Sequence, residues 1–220
     1  MPRVALIHAL VESVAPINEV MARDWPEADR LNLLDDSLSA DLARSPTGLD
    51  AAMTGRFVAL TDYAVRAGAA GVLFTCSAFG PCIEEAARRF PAVPVLKPNE
   101  AMIAEAAAVG GRVGLVATFG PTLASMVPEF PPAVALRTAL AAGGLEALRA
   151  GHADRHDDRV VAAARRLVSE EGCAVVALAQ FSMARAAPRV AAAVGVPVLT
   201  TPGTAVRALR ARVERAPFVE

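Results

Sequence analysis

Cys76 lies in Gly71-Val-Leu-Phe-Thr-Cys-Ser-Ala-Phe-Gly-Pro81, where an uncharged run gives way to small and hydroxyl-bearing residues. Gly71 to Thr75 reads as a short buried strand, and Gly80-Pro81 opens a helix that runs through Ile83 to Arg89. Backbone N–H groups at such a helix start attract anions and make a nearby thiol more acidic. The chemistry this implies is a thiolate acting beside a bound carboxylate. The competing reading is a small buried hydrophobe, which free cysteines often are. His8, at the end of the apolar run Arg3–Ile7, can relay protons near neutral pH, since its unperturbed pKa is about 6.5. It serves equally well as a satisfied histidine that holds a loop. His152 and His156 fall in Gly151-His-Ala-Asp-Arg-His-Asp-Asp158, which reads as a charged loop of solvated or capping residues before a helix. Arg137 and Arg185 are candidate carboxylate ligands among many arginines that solvate helix faces.

The elements that must position these residues follow in order. Arg3–Ile7 is a buried strand, Val14–Arg23 a helix stopped by Trp25-Pro26, and Leu31–Leu34 a second strand that ends in the polar loop Asp35-Asp36-Ser37. Ser45-Pro-Thr-Gly48 breaks the chain, and Thr47 or Asp50 caps a helix that runs to Arg66. The Cys76 strand and its helix come next, then a strand over Pro91–Leu96 and a helix over Glu100–Val109. The pattern then repeats. Gly111–Thr118 matches Pro2–Ala9, Val134–Arg137 replaces the second strand, Asp158–Glu171 is a long helix, and Cys173–Leu178 is the central strand again. Gly195-Val-Pro-Val-Leu199 repeats Ala92-Val-Pro-Val-Leu96 at an offset of 103 residues, from Pro94 to Pro197, and Thr204–Val213 is the last helix.

Self-similarity over this length implies two copies of one β/α unit. Continuous Val/Leu/Ala strands alternating with helices imply parallel sheets covered on both faces, with right-handed connections. The expected fold is therefore α/β: two similar Rossmann-like or flavodoxin-like domains related by a pseudo-twofold axis. Residues 1–97 with 203–220 form the domain carrying Cys76, and residues 98–202 form the domain carrying Gln180. Strand carboxyl ends would face each other across an active-site cleft, because ligands of open α/β sheets bind outside those ends.

Composition limits the function. With 220 residues, 54% of them hydrophobic, and a net charge of −1, the chain lacks the bulk charge that recruits nucleic acid or a membrane surface. Three cysteines without paired spacing suggest neither a disulfide framework nor a zinc site, and fit a reducing cytoplasm. The run Val4–Val11 is too short to span a membrane and is read as a strand rather than a signal peptide. No His/Cys/Asp cluster has metal spacing, and no G-x-G-x-x-G or Walker loop is present, which argues against nucleotides. The expected strand ends are rich in hydroxyls and small residues: Ser13, Ser77, Ala78, Thr118, Phe119, Gly120, Thr122, Phe181 and Thr201, with Gln180 among them.

These residues resemble the aspartate/glutamate/hydantoin racemase superfamily, which includes arylmalonate decarboxylase and maleate isomerase. The resemblance rests on Leu73-Phe-Thr-Cys-Ser-Ala-Phe-Gly80, on Val113–Thr118 with Thr122, on Gln180-Phe-Ser-Met183 and on Pro197-Val-Leu-Thr-Thr-Pro202. It implies a cofactor-independent enzyme that binds a small carboxylate, with one cysteine from each half as acid and base. Cys76 matches the first cysteine. At the second the sequence departs: counting back three residues from Met183 gives Gln180, and the 103-residue offset gives Ala179. Glutamine exchanges no proton near neutral pH, although its amide can hydrogen-bond a carboxylate. His8 stands where amino-acid racemases often carry an acidic residue. Cys82 and Cys173 are read as structural. The expectation is proton transfer alpha to a carboxylate, or addition to an unsaturated diacid, by the single thiol of Cys76 with His8 and Gln180. The alternatives are an arylmalonate-decarboxylase-like lyase and a carboxylate-binding protein without catalysis. A homo-oligomer is left open.

Overall fold

A computed structural model of the chain describes residues 1–215. The chain divides into two compact units, one formed by Met1–Pro98 with the segment from Pro202 onward, the other by Asn99–Thr201.

In the first unit, β1 (Arg3–His8), β2 (Asp29–Leu34), β3 (Gly71–Phe74) and β4 (Val95–Leu96) form a parallel sheet in the order β2-β1-β3-β4. The central strands β1 and β3 carry the buried run, with Val4 opposite Gly71 and Ile7 opposite Phe74. β2 is an edge strand with alternating exposure, because only its inner face meets the core. The helices are α1 (Val14–Asp24), α2 (Ser37–Arg44), α3 (Ala51–Arg66) and α4 (Gly80–Arg89). Asp50, one of the two expected caps, accepts a hydrogen bond from Met53 N at 2.7 Å and so begins α3. Phe57 on α3 stacks against Phe74 and Phe79 with ring centroids 5.0 and 4.8 Å apart, which fixes the helix over the end of β3.

The second unit repeats the order as β6-β5-β7-β8. Its strands are β5 (Arg112–Ala117), β6 (Ala135–Leu140), β7 (Val175–Leu178) and β8 (Val198–Thr200), all parallel. Its helices are α5 (Glu100–Val109), α6 (Gly120–Met126), α7 (Gly144–Arg149), α8 (Ala153–Ser169) and α9 (Ala187–Val194). The period-two alternation of strands separates two cores. Val113, Leu115, Val175 and Ala177 face Met102, Ile103 and Ala106 of α5. Val116, Val176 and Leu178 face Val160, Ala164 and Leu167 of α8 and Val190 of α9. The final helix, α10 (Thr201–Arg215), packs Leu209 and Val213 against β3 of the first unit, and Arg210 bonds Asp24 O and Glu27 there.

Several expected bounds shift. The ladder of the repeated central strand starts at Val175 rather than Cys173, and the fourth strand shrinks to Val95–Leu96. α8 starts at Ala153 instead of Asp158, so the supposed charged loop is its first turn. The polar segment after β2 is α2, whose buried Leu38 and Leu42 are one turn apart. Among the described residues no helix is long and apolar enough to cross a membrane.

A methyl group on Gly71 would lie 2.6 Å from Val213 Cγ2 and 3.0 Å from Leu209 Cδ1. Gly55, exposed inside α3, has nothing within 4 Å of that position. Gly71→Ala is therefore expected to destabilise by about 1–3 kcal/mol through overpacking. Gly55→Ala is expected to stabilise by about 0.5–1 kcal/mol through helix propensity. Urea unfolding midpoints of the two variants should move in opposite directions.

Candidate functional site

Parallel strands bring all their carboxyl ends to one edge of each sheet. In the first unit that edge carries His8, Ser13, the Asp35–Ser37 segment and Cys76. Cys76 has an extended backbone and precedes a single 3-10 turn, Ser77–Phe79, that leads into α4. Ser77 and Ala78 are buried beside it. The sulfur faces the backbone N–H of Ala78 and the hydroxyl of Ser39. Ser39 is buried on α2, and its single hydroxyl proton goes to Ala9 O at 2.8 Å, which leaves its oxygen as an acceptor towards the Cys76 S–H. Cys76 itself is only 5% exposed.

Burial decides the state of this thiol. Desolvation of a sulfur anion outweighs the nearby Ala78 N–H, and the Cys76 pKa is pushed up to about 11. This corrects the expected acidification by neighbouring amides: the amide of Ala78 is in place, but the loss of water costs more than it returns. The group rests as S–H, a proton donor.

His8 is fully buried. Its Nε2 lies 3.0 Å from Asn32 Oδ1, which also accepts from Asn18 Nδ2 at 2.8 Å. An amide oxygen can only accept, so Nε2 carries the proton. Nδ1 lies 2.9 Å from Thr75 Oγ1. Burial lowers the imidazole pKa against the opposing pull of Asn32, which keeps the ring neutral. Both ring nitrogens are engaged, and the histidine ties β1 to β2 and to the residue before Cys76. Of the two roles the sequence allowed, this geometry suits the loop-holding one. Asp35 is likewise occupied, by Arg56 at 2.6 Å and by the Ser37 hydroxyl.

In the second unit the edge carries Thr118, Phe119, Gly120, Thr122, Gln180, Phe181, Ser182 and Thr201. Gln180 has an extended backbone after β7. Its Oε1 accepts from Thr118 N at 2.7 Å, Thr118 Oγ1 at 3.1 Å and Phe119 N at 3.2 Å. Two backbone donors fix which amide atom points at them, so Nε2 must point away. That nitrogen is buried without a partner, as are Thr122 Oγ1 and Ser182 Oγ. A buried polar atom left without a partner costs roughly 1–3 kcal/mol. The edge thus holds three groups able to donate. Gly120 is exposed at the start of α6, while Phe181 and Thr201 are fully buried.

The other candidates separate. Arg137 pairs with Glu171 at 3.1 Å, and Arg185 with Asp157 at 3.0 Å. Cys82 is buried beside Thr54 Oγ1, and Cys173 lies in the α8 core. His156 is fully buried rather than solvated. Ser39 went unread in the sequence and His156 was misread. Ser39 is hidden because α2 is not anticipated. His156 continues the helical stripe of Val160 and Ala164 backwards by one turn, a signal that would have placed it inside. Among the described residues no group of three or more His, Cys, Asp or Glu is arranged to hold a metal ion.

A family model described as Asp/Glu/Hydantoin racemase matches residues 11–209. The chain belongs to the Asp/Glu/hydantoin racemase family. No curated protein matches it in sequence. Solved structures similar to this racemase-family chain include the glutamate racemase isoform RacE1 of Bacillus anthracis, with a TM-score of 0.78 at 11% identity over 99% of this chain and 84% of that one. The allantoin racemase of Klebsiella pneumoniae has a TM-score of 0.70 at 17% identity over 97% and 88%. A glycine-to-cysteine variant of arylmalonate decarboxylase has 0.63 at 18% over 97% and 94%. At these identities the likeness is one of fold.

With a pKa of about 11, roughly one Cys76 sulfur in ten thousand is ionised at neutral pH. Iodoacetamide labelling of Cys76, followed by peptide mapping, should be slow at pH 7 and rise about tenfold per pH unit towards 11. Labelling at pH 7 as fast as that of a free exposed thiol would contradict this description.

Proposed function

We propose that this racemase-family protein is an enzyme that moves a proton on one face of the carbon alpha to a small carboxylate, with Cys76 as the acid and its thiolate as the base. The observation that carries this reading is the combination of a buried, hydrogen-bonded S–H at Cys76 with a glutamine, Gln180, where the family resemblance expects the second thiol. A glutamine neither takes nor gives a proton, so by that resemblance the face assigned to the second thiol has no acid–base group. In the unit that carries Cys76, the Ala78 N–H and the Ser77 hydroxyl are the proposed donors to the carboxylate or enediolate. In the second unit Gln180 Nε2 and the hydroxyls of Thr122 and Ser182, with Thr118 and Thr201 as further candidates, form a set of groups suited to an oxyanion. Preorganised donors of this kind stabilise charge as it develops in the transition state.

In the exchange reaction the Cys76 S–H first releases its proton to water. The thiolate takes the α-proton while the electron pair spreads into the enediolate. The sulfur-bound hydrogen exchanges with solvent, and the thiol returns a solvent-derived proton to the same face. A second reading is favoured by the protonated resting state of Cys76. In a substrate with two carboxyl groups on one carbon, the C–C bond to one of them breaks and carbon dioxide leaves. The electron pair remains as the enediolate, which the Cys76 proton quenches. The thiolate then regains a proton from water.

Small carboxylates incubated with the protein in deuterated water are expected to gain deuterium at the α-carbon without racemising. Malonate-type diacids test the second reading by release of carbon dioxide. Cys76→Ser should reduce either rate by about 10²–10⁴-fold, the usual worth of a general acid–base group. Gln180→Cys supplies a second thiol and should add racemisation to exchange. Binding of carboxylates with neither exchange nor carbon dioxide release would leave a binding protein and overturn the proposal.

A further inference from the structure

The second unit contains a buried acid–base pair that the chemistry above does not use. His156, in the first turn of α8, is fully buried, and its Nδ1 lies 2.8 Å from Asp157 Oδ1. Asp157 is 3% exposed and is held by Arg185, whose Nε reaches Oδ1 at 3.0 Å, and by Arg189 Nη1 3.9 Å from Oδ2. Burial alone would raise the Asp157 carboxyl, but Arg185 and His156 outweigh it and hold it below the usual carboxylate range. An ionised carboxylate can only accept, so the proton between the two sits on Nδ1. In the neutral ring Nε2 is then a bare acceptor, and it is buried with no partner.

The position of the ring gives this acceptor a purpose. α8 leads back to the start of β7, so its first turn lies at the carboxyl edge of the sheet. A methyl group on Gly144 would lie 2.8 Å from Thr118 Cγ2 and 3.8 Å from His156 Cδ2, so the ring edge next to Nε2 and the Thr118 side chain flank the same bare stretch of backbone. Thr118 is the residue whose N–H and hydroxyl hold Gln180. To the unpartnered donors at this edge (Gln180 Nε2, Thr122 Oγ1, Ser182 Oγ), His156 Nε2 adds an unpartnered acceptor on the Thr118 side.

We propose that His156, oriented by Asp157, is a ligand-contacting residue of this site, whose Nε2 accepts a hydrogen bond from an O–H or N–H group that the substrate carries besides its carboxylate. The donors match an oxyanion; the acceptor matches a hydroxyl or amino substituent. This rests on the carboxylate reading above and narrows its substrate class. It also assigns Asp157 a positioning role: it sets the tautomer that leaves Nε2 open, in the manner of a carboxylate that fixes an imidazole from behind.

The test uses the whole protein labelled with ¹⁵N-histidine. In the free protein the His156 signals should report a protonated Nδ1 and an unprotonated Nε2. Asp157→Asn should weaken that preference. Lactate, malate and mandelate are then compared with propionate, succinate and phenylacetate. The hydroxylated member of at least one pair should shift the Nε2 resonance and bind roughly tenfold more tightly, the worth of one hydrogen bond to a buried group. His156→Gln should abolish that preference while retaining carboxylate binding. A protonated Nε2 in the free protein overturns the proposal, and so does an Nε2 resonance that no hydroxylated probe moves. Isotope exchange that depends on Cys76 but ignores His156 sinks this inference alone and leaves the single-thiol chemistry standing.

Discussion

The arrangement of the second unit depends on one oxygen atom. Gln180 Oε1 collects the N–H groups of Thr118 and Phe119 and the hydroxyl of Thr118. Successive backbone donors at the end of a strand make a cradle for negative charge. Here a side-chain carbonyl fills it, which ties the end of β7 to the end of β5. The same bonds turn the amide nitrogen away and leave it without a partner. Gln180 is thus a fixed hydrogen-bonding group and not a proton carrier. What remains around it is a set of hydrogen-bonding groups suited to holding an oxyanion.

The first unit is governed by a different balance. Cys76 has an N–H from the turn before α4 beside it, a group that usually acidifies a thiol. That donor returns part of what the sulfur anion would obtain from water. Removing the water altogether costs more, so the proton stays. A buried S–H of this kind is poor at abstracting a proton in its resting state and well suited to delivering one. His8 fits the same scheme. Locked between Asn32 and Thr75, it stiffens the strand ends that present Cys76.

Both units build their strand ends from the same topology. Parallel pairing puts every carboxyl end on one side, and the order 2-1-3-4 places Cys76 and Gln180 just beyond central strands. The central strands are buried on both faces, which leaves their ends as the places where polar groups can be displayed. Orphaned donors and acceptors persist there because the packed layers below hold the loops in position. Gly144 contributes by having no side chain, since a methyl group would press on Thr118.

The sequence by itself determined the layered α/β class, the internal repeat and the positions of Cys76, Thr118, Thr122 and Gln180. Those features follow from local signals: apolar runs of strand length, Gly-Pro helix starts, and a motif repeated at a fixed offset. The family model then covers nearly the whole chain. The protonation of Cys76 was not legible, because burial is a sum over residues distant in sequence, and the local amides point the other way. The two roles of His8 were separated only by Asn18, Asn32 and Thr75, which come from three other segments. His156 looked solvated because its neighbours in sequence are charged. The helix rotates it inward, onto Gly144 and Thr118, while Asp154 and Arg155 of the same turn face out. Local composition sets which elements form. Which titratable groups lose their water is decided only when those elements pack.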